Sequence, residues 1–222
     1  MNRKEFEDTR NWHSRGFISH YDACDKYQMI TYRLADSLPN EVLKQPGAPL
    51  KRLGAPHSNA DESTQKRKLT ESLLDQSYGS CILQDPKVAQ QQIEAWTYFD
   101  RERYELIAYV VMPNHVHLMI KTYNEWPISK LVPSWKKHVT YYVQKDKELW
   151  GEYSKSYLIF KANSTLEHKD PSTKVYLWQQ EYWDRFIRDE NHFQNSIRYI
   201  MKNPIKAGLA DSIEAWPWSA VL

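Results

Sequence analysis

Two histidines stand two residues apart within an apolar run, YVVMPNHVHLMI at residues 109–120. Successive side chains of a β-strand point to opposite faces, so His115 and His117 would lie side by side on one face, with Val116 on the other. Neutral imidazoles are common ligands of divalent metals, and the pair could form part of a metal site. The alternative is a pair of histidines hydrogen-bonded within the core, and the spacing alone does not decide between the two.

A second pair of chemically capable residues lies near the end of the sequence, in NHFQNSIRYIMKNP at residues 191–204. This segment has a helical pattern, so Tyr199 and Asn203, four residues apart, would share one face of a helix. A phenol can act as a nucleophile and an amide oxygen can bind a divalent ion, which suits metal-assisted attack on a phosphodiester. The alternative is a core ring at Tyr199 and a helix cap at Asn203, before Pro204.

Length and composition indicate one ordinary globular domain, with 222 residues, 41% hydrophobic and 26% charged. The formal net charge of +2 gives no argument by itself for a polyanionic partner. Nine tryptophans and fifteen tyrosines could fill a core or stack on nucleic-acid bases.

The cellular compartment follows from the cysteines and from the apolar runs. Cys24 and Cys81 are too few for a disulfide framework, which favours a reducing cytoplasm. The start, MNRKEFEDTRNWHSRG, lacks the apolar centre of a secretory signal, and no apolar run approaches the roughly 20 residues that span a bilayer. We expect a cytoplasmic protein without a membrane partner.

The order of the predicted elements indicates an α+β fold. Four strands and three helices alternate as strand, helix, strand, strand, helix, strand, helix, and the first six follow the βαββαβ pattern of a ferredoxin-like antiparallel sheet backed by helices. The predicted strands cover 27–35, 104–112, 115–122 and 181–189, and the predicted helices cover 85–102, 133–147 and 191–204. Residues 45–68 are rich in Pro, Gly, Ser and charge and predict a mobile excursion, whereas residues 150–176 predict polar, irregular chain with room for a small hairpin.

Six segments occur in an order that one family shares: RGFISHYDACDKYQMITYRLADSLP (15–39), YVVMPNHVHLMI (109–120), SWKKHVTYY (134–142), LWQQEYWDRFIRDENHF (177–193), RYIMKNPIKAGL (198–209) and WPWS (216–219). In these motifs the chain resembles the REP-associated tyrosine transposases, which are HUH single-strand DNA endonucleases of the transposase-17 type. The resemblance runs through almost the whole chain. It implies an N-terminal arm at 1–26, an HUH domain at 27–209 and a C-terminal tail at 210–222.

The resemblance also implies a role for each candidate site residue. The two HUH histidines fall on His115 and His117, the third metal ligand falls on Asn203, and the nucleophile falls on Tyr199. The implied cofactor is Mg²⁺ or Mn²⁺, and the implied intermediate is a 5′-phosphotyrosine. The implied partner is single-stranded or hairpin DNA from repetitive extragenic palindromes of a bacterial chromosome, which would place the protein at the nucleoid as a monomer or a homodimer.

Two departures from the family pattern concern other parts of the chain. Residues 150–176 are longer than the usual loop, and Tyr153, Tyr157 and Phe160 there could contact DNA or simply pack. Pro133 is expected to interrupt the helix that usually carries the basic face. Candidate DNA-binding residues are basic or aromatic, and each could instead serve packing or a solvated surface: Trp12, Arg15, Lys136, Lys137, Arg185, Arg188 and Lys206. Trp216 and Trp218 are expected to pack rather than bind a ligand.

Other functions share parts of this pattern. A domesticated protein could hold DNA hairpins without cutting them, although the presence of all four site residues argues against it. An insertion-sequence transposase would move its own element, and only the flanking DNA separates that function from a resident enzyme. A relaxase or replication initiator shares the HUH site but would need a longer chain with a helicase domain.

Overall fold

A computed structural model describes residues 12–14, 19–21, 25–38, 69–162 and 174–222. The predicted excursion at 45–68 and Arg15 lie outside the described residues, as do residues 163–173 of the segment predicted to be irregular.

Five antiparallel strands form the main sheet of the protein. They are β3 (Tyr27–Arg33), β4 (Tyr104–Val111), β5 (His115–Thr122), β6 (Trp183–Phe186) and β7 (Ser219–Val221), in the spatial order β6-β3-β5-β4-β7. Two further strands, β1 (Trp12–Ser14) and β2 (Ser19–Tyr21), pair with each other. The order of β6, β3, β5 and β4 is the arrangement of a ferredoxin-like βαββαβ chain, so the predicted fold class is confirmed.

In the described part of the chain, four helices accompany the sheet: α1 (Pro86–Thr97), α2 (Ile128–Lys145), α3 (Lys147–Ala162) and α4 (Glu190–Lys206). Residues 69–74 are also helical, and Ile82–Gln84 form one 3₁₀ turn. The start of α1 is as predicted, because the Asp85 carboxylate accepts hydrogen bonds from the backbone N–H groups of Lys87 and Val88 at 2.8 and 3.2 Å. None of the helices in the described part of the chain is long and apolar enough to cross a membrane.

The face of the sheet under α1 and α2 carries a hydrogen-bonded aromatic core. Trp96 Nε1 donates to the Tyr32 hydroxyl at 2.9 Å, Tyr104 donates to the Trp96 carbonyl at 2.5 Å, and Trp135 Nε1 donates to the Tyr104 hydroxyl at 3.1 Å. Each polar atom of these large rings therefore has a partner, which allows the rings to be buried at little cost. This core fixes one side of β3, β4 and β5 and leaves the opposite side for α4.

Two prolines lie within helices where the sequence predicts a boundary. The helix expected from about Pro133 begins at Ile128 instead and continues through this proline to Lys145. Similarly, α4 does not stop at Pro204 as expected but ends two residues later, at Lys206. A proline removes one backbone hydrogen bond from a helix interior, at a cost of about 3 kcal/mol. Both helices pack a buried apolar face against the core, with Trp135 in α2 and Ile200 in α4.

The prediction of irregular chain at 150–176 was wrong for its first half, which belongs to α3. Tyr153 is fully buried and Tyr157 is nearly so, and both belong to the core on the α1–α2 side of the sheet. These two tyrosines therefore pack rather than present their rings to DNA. The strand predicted at 181–189 is also shorter than expected, with only Trp183–Phe186 in β6.

The C-terminal tail joins the sheet. In β7, Ala220 pairs with Tyr109 of β4, and just before it the Trp216 indole donates to the Val111 carbonyl at 3.0 Å. The Val111 N–H donates in turn to the Trp218 carbonyl at 2.9 Å. The packing role expected for Trp216 and Trp218 is what the structure shows.

The Tyr153 hydroxyl ties α3 to the chain that leads into β6, because it lies 2.6 Å from the Tyr176 carbonyl oxygen and 3.0 Å from that of Leu177. We expect Tyr153→Phe to lower the free energy of unfolding by about 1–2 kcal/mol, since it removes the hydroxyl donor that joins buried α3 to this segment. Urea denaturation measures this loss. Tyr98→Phe is the matched control, because that ring is 77% exposed. Equal stability of the two variants would contradict the tie.

Candidate active site

The β4–β5 hairpin places both histidines of the HVH motif on one face of a central strand. His115 and His117 are each 1% exposed, and their ring centroids are 4.8 Å apart. Val116 points to the opposite face, into the aromatic core. The strand alternation thus brings the two imidazoles together in a site from which water is largely excluded.

Each imidazole is held through its Nδ1 atom. His115 Nδ1 lies 2.8 Å from Asn114 Oδ1, and His117 Nδ1 lies 2.7 Å from Thr31 Oγ1. The Asn114 side-chain N–H donates to the Tyr78 carbonyl at 2.9 Å, so its oxygen faces the ring and His115 must carry its proton on Nδ1. With Nδ1 engaged, Nε2 is the nitrogen that each ring would offer to a metal.

The burial of the two histidines favours their neutral forms. Burial first, and then the neighbouring His117, Lys206 and Arg33, hold the pKa of His115 well below its ordinary value. Burial first, and then Lys206, lower the pKa of His117 to about 3. Both rings are therefore uncharged at neutral pH, which is the form that binds metals.

Helix α4 brings the predicted nucleophile and amide to the same place. The Tyr199 hydroxyl lies 3.5 Å from His117 Nε2, and the two rings meet edge to face with centroids 5.2 Å apart. Asn203 lies one helical turn further on and is 1% exposed. Within the described part of the chain, neither Oδ1 nor Nδ2 of Asn203 has a hydrogen-bond partner.

An unsatisfied buried amide one helical turn from Tyr199, whose hydroxyl lies near a neutral imidazole, fits a divalent ion. Leaving such an amide without a partner costs about 1–3 kcal/mol, and a bound ion would remove that cost for the oxygen. His115, His117 and Asn203 would hold the ion with two nitrogens and one oxygen. No group of three His, Cys, Asp or Glu capable of holding a metal occurs among the described residues.

Two of the predicted DNA-binding lysines are engaged within the protein. Lys136 Nζ donates to the carbonyl of Gln179 at 2.8 Å and lies near two further carbonyls of the same segment, so it joins α2 to the chain before β6. Lys206 Nζ pairs with the Asp75 carboxylate at 2.7 Å, although its side chain is still 53% exposed. Lys206 is close enough to the histidines to affect the pKa of both.

The other predicted DNA contacts lie apart from the histidines or outside the described residues. Lys137, Arg185 and Arg188 are exposed, and Arg185 pairs with Met29 across the sheet, so it shares the histidine face. Arg188 follows the end of β6, so it is not on a strand although the predicted strand at 181–189 includes it. Trp12 lies in β1.

Residue spacing did not identify four residues around the histidines. Asn114 and Thr31 contact the two imidazoles, Arg33 pairs with His115 across the sheet, and Asp75 pairs with Lys206. Asn114 directly precedes His115, and that position was the available signal for its role. The others come from β3 and from the chain after residue 68, and only the strand register and the tertiary packing bring them to the histidines.

The low histidine pKa values predict a specific pH dependence of stability in the absence of divalent ions. Below about pH 6.5 the unfolded chain binds protons that the folded protein does not, so the free energy of unfolding should fall as the pH falls from about 6.5 towards 3. The slope contributed by each histidine approaches about 1.4 kcal/mol per pH unit. Chemical denaturation between pH 5 and 6.5 measures it, above the range in which most carboxylates titrate.

In the variant His117→Gln, the free energy of unfolding should depend less steeply on pH, because the contribution of one histidine is removed. The matched control is His138→Gln, because His138 is exposed on α2 and lies 3.0 Å from Gln91 Oε1. An unchanged slope in His117→Gln would mean that His117 is protonated in the folded protein.

The chain is similar to a protein-family model, to curated proteins and to a solved structure. Residues 78–180 match the family model described as "Transposase IS200 like", a range that includes both histidines but ends before Tyr199 and Asn203. A Haemophilus influenzae protein assigned to the REP-associated tyrosine transposases is 23% identical over 118 residues, which is 53% of this chain and 58% of that protein. The Escherichia coli REP-associated tyrosine transposase is 33% identical over 43 residues, 19% of this chain and 26% of that protein.

The chain thus spans less than two thirds of the length of these curated relatives. A solved structure of a REP-associated tyrosine transposase bound to a REP hairpin matches with a TM-score of 0.51 and 16% identity, covering 92% of this chain and 81% of that one. This match shows a shared fold across nearly the whole chain. The comparisons agree with one another: part of the chain is similar in sequence to REP-associated tyrosine transposases, and its residues 78–180 match the IS200-like transposase model.

Proposed function

We propose that this protein is a metal-dependent single-strand DNA endonuclease and strand transferase with Tyr199 as its nucleophile. One observation carries the proposal: the Tyr199 hydroxyl lies 3.5 Å from His117 Nε2, and one helical turn further along α4 the buried amide of Asn203 has no hydrogen-bond partner among the described residues. A tyrosine that only filled the core would need neither a neutral imidazole at its hydroxyl nor an unsatisfied amide one turn away. The curated relatives are tyrosine transposases, which supports the same conclusion.

Mg²⁺ or Mn²⁺ is the proposed cofactor, held by His115, His117 and Asn203. Such an ion would supply Lewis-acid polarisation of a non-bridging phosphate oxygen. Asn114 fixes the tautomer of His115, and Thr31 holds the ring of His117 through Nδ1, so that each ring would offer Nε2 to the ion. The near absence of solvent around the histidines strengthens the electrostatic interactions within the site.

In the proposed reaction the Tyr199 oxygen forms a bond to phosphorus while the bond from phosphorus to the 3′ oxygen breaks. The phenol proton is lost and the leaving 3′ oxygen gains a proton, so the products are a free 3′ hydroxyl and a 5′-phosphotyrosine. One phosphoester replaces another, and attack by a second 3′ hydroxyl can therefore reverse the step and join strands without a nucleotide cofactor. The hydroxyl needs only to be held in line with the phosphate, and the rigid α4 does this.

We further propose hairpins of repetitive extragenic palindromes as the substrate. The support is that the structural neighbour was solved bound to a REP hairpin and shares the fold over 92% of this chain. The basic side chains of Arg185 and Lys137 are exposed to solvent, where they can bind phosphates of the stem or its flanking strand.

Replacement of the nucleophile gives the first test. Tyr199→Phe keeps the ring that packs on His117 but removes the attacking oxygen, so we expect the fold to survive and cleavage to vanish. Denaturing gels of labelled hairpin oligonucleotides with single-stranded flanks should show a protein-linked band for the wild type and none for the variant. Tyr141→Phe is the control, since Tyr141 is 59% exposed on α2, and it should cleave normally. A protein-linked band from Tyr199→Phe would move the nucleophile elsewhere.

Metal binding gives a second, independent test. We expect His115→Ala or His117→Ala to abolish Mn²⁺ binding and DNA cleavage while hairpin binding is largely retained, because the ion is held by these rings and the stem is not. Asn203→Ala should weaken Mn²⁺ binding by about ten- to a hundredfold. Isothermal titration calorimetry with Mn²⁺ measures the affinities, and His138→Ala serves as the control histidine. Mn²⁺ binding that survives in His117→Ala would refute the proposed site.

A further inference from the structure

Arg33 is a buried charge beside the histidines that the proposed chemistry has not used. It pairs with His115 across the β3–β5 ladder, just as Thr31 pairs with His117. Residues directly opposite each other in an antiparallel pair point to the same face, so the Arg33 side chain lies on the face of the imidazoles. Arg33 is close enough to His115 to help depress the pKa of that ring.

The guanidinium of Arg33 lacks an anionic partner in the described part of the chain. The side chain is 6% exposed, and its hydrogen bonds to described residues come from Nη1, which lies 3.0 Å from Ser37 Oγ and 3.5 Å from the Leu34 carbonyl oxygen. These contacts are to neutral oxygens, and Nε and Nη2 make none with the described residues. Burial lowers the pKa of Arg33 to about 10, so the group is still charged at neutral pH.

A buried charge with only neutral partners is costly, and proteins retain such a group where an anion completes it. The other charged group near the histidines, Lys206, is also a cation, although it is paired with Asp75. A divalent ion held by the histidines would add further positive charge to the same pocket. The missing species is therefore an anion, and a phosphodiester supplies one with the planar pair of oxygens that a guanidinium fork matches.

We propose that Arg33 is a phosphate-binding residue of the site. It holds the DNA phosphate at the scissile position from β3, across the pocket from α4 on the same face of the sheet. The inference rests on the proposed function, since the ligand is the phosphate that Tyr199 attacks. Nη1 keeps its bond to Ser37 and thereby fixes the fork, while Nε and Nη2 bind the phosphate oxygens. Arg33 would thus position the phosphorus in front of the Tyr199 hydroxyl.

A purely structural role is the competing explanation, because the contacts of Nη1 also brace the turn at residues 34–37. The two roles differ in whether phosphate affinity depends on this residue in a folded protein. Inorganic phosphate tests this without DNA and without metal, in the presence of a chelator and at constant ionic strength, by ³¹P NMR titration.

We expect Arg33→Gln to bind inorganic phosphate about ten- to a hundredfold more weakly than the wild type, the usual loss for one charge-assisted fork. Arg33→Lys keeps the charge but not the fork, and it should fall between the two. The control is Arg101→Gln, because Arg101 is exposed and pairs with Glu105 at the opposite end of the sheet, and it should bind as the wild type does.

Several results would overturn the proposal. The first is that the wild-type protein binds no phosphate. The second is that Arg33→Gln folds and binds phosphate as tightly as the wild type. If Arg33→Gln does not fold, the corresponding result is that Arg33→Lys binds phosphate as tightly as the wild type. Cleavage plays no part in this measurement. A protein that binds phosphate through Arg33 but cuts no DNA would therefore refute the proposed function and leave the anion site standing.

Discussion

The burial of two imidazoles side by side on a central strand is the constraint on which the rest of the site depends. A charged ring at either position would lose its hydration, so both rings must be neutral and each Nδ1 must find a partner inside the protein. Asn114 and Thr31, from two different parts of the chain, are those partners. Helix α4 then covers the same face, and the arrangement leaves the amide of Asn203 buried with no partner among the described residues.

The sequence predicts most of the fold because its periodic patterns are strong around the sheet. The β4–β5 hairpin and α1, with its Asp85 cap, follow from alternation, turn residues and capping chemistry. Helix α3 escaped prediction because Gly151 interrupts the helical stripe of Trp150, Tyr153 and Tyr157, and because polar residues dominate its other faces. The helix boundaries predicted at the two prolines were wrong for a different reason. Packing of the buried helix face outweighs the one backbone hydrogen bond that each proline removes.

Local spacing was also enough to pair the histidines with each other and Tyr199 with Asn203, because both relations lie within one strand or one helix turn. The family resemblance, rather than the spacing, indicated that the two pairs belong to one site. Spacing could not identify Thr31, which reaches His117 across 86 positions of the chain through the β3–β5 register. Nor could spacing show that Lys136, a basic residue that could bind phosphate, donates instead to backbone carbonyls of the segment before β6.

We propose that the β4–β5 hairpin and α4 together form one divalent-ion site next to a tyrosine nucleophile. Anomalous scattering from crystals grown with Mn²⁺ tests it most directly. We expect one strong peak within bonding distance, about 2.0–2.3 Å, of Nε2 of His115 and His117 and of Oδ1 of Asn203, with the Tyr199 hydroxyl facing it. A Mn²⁺ peak elsewhere in the protein, with this pocket empty and the Asn203 amide bonded to protein groups instead, would rule out the proposed ion site.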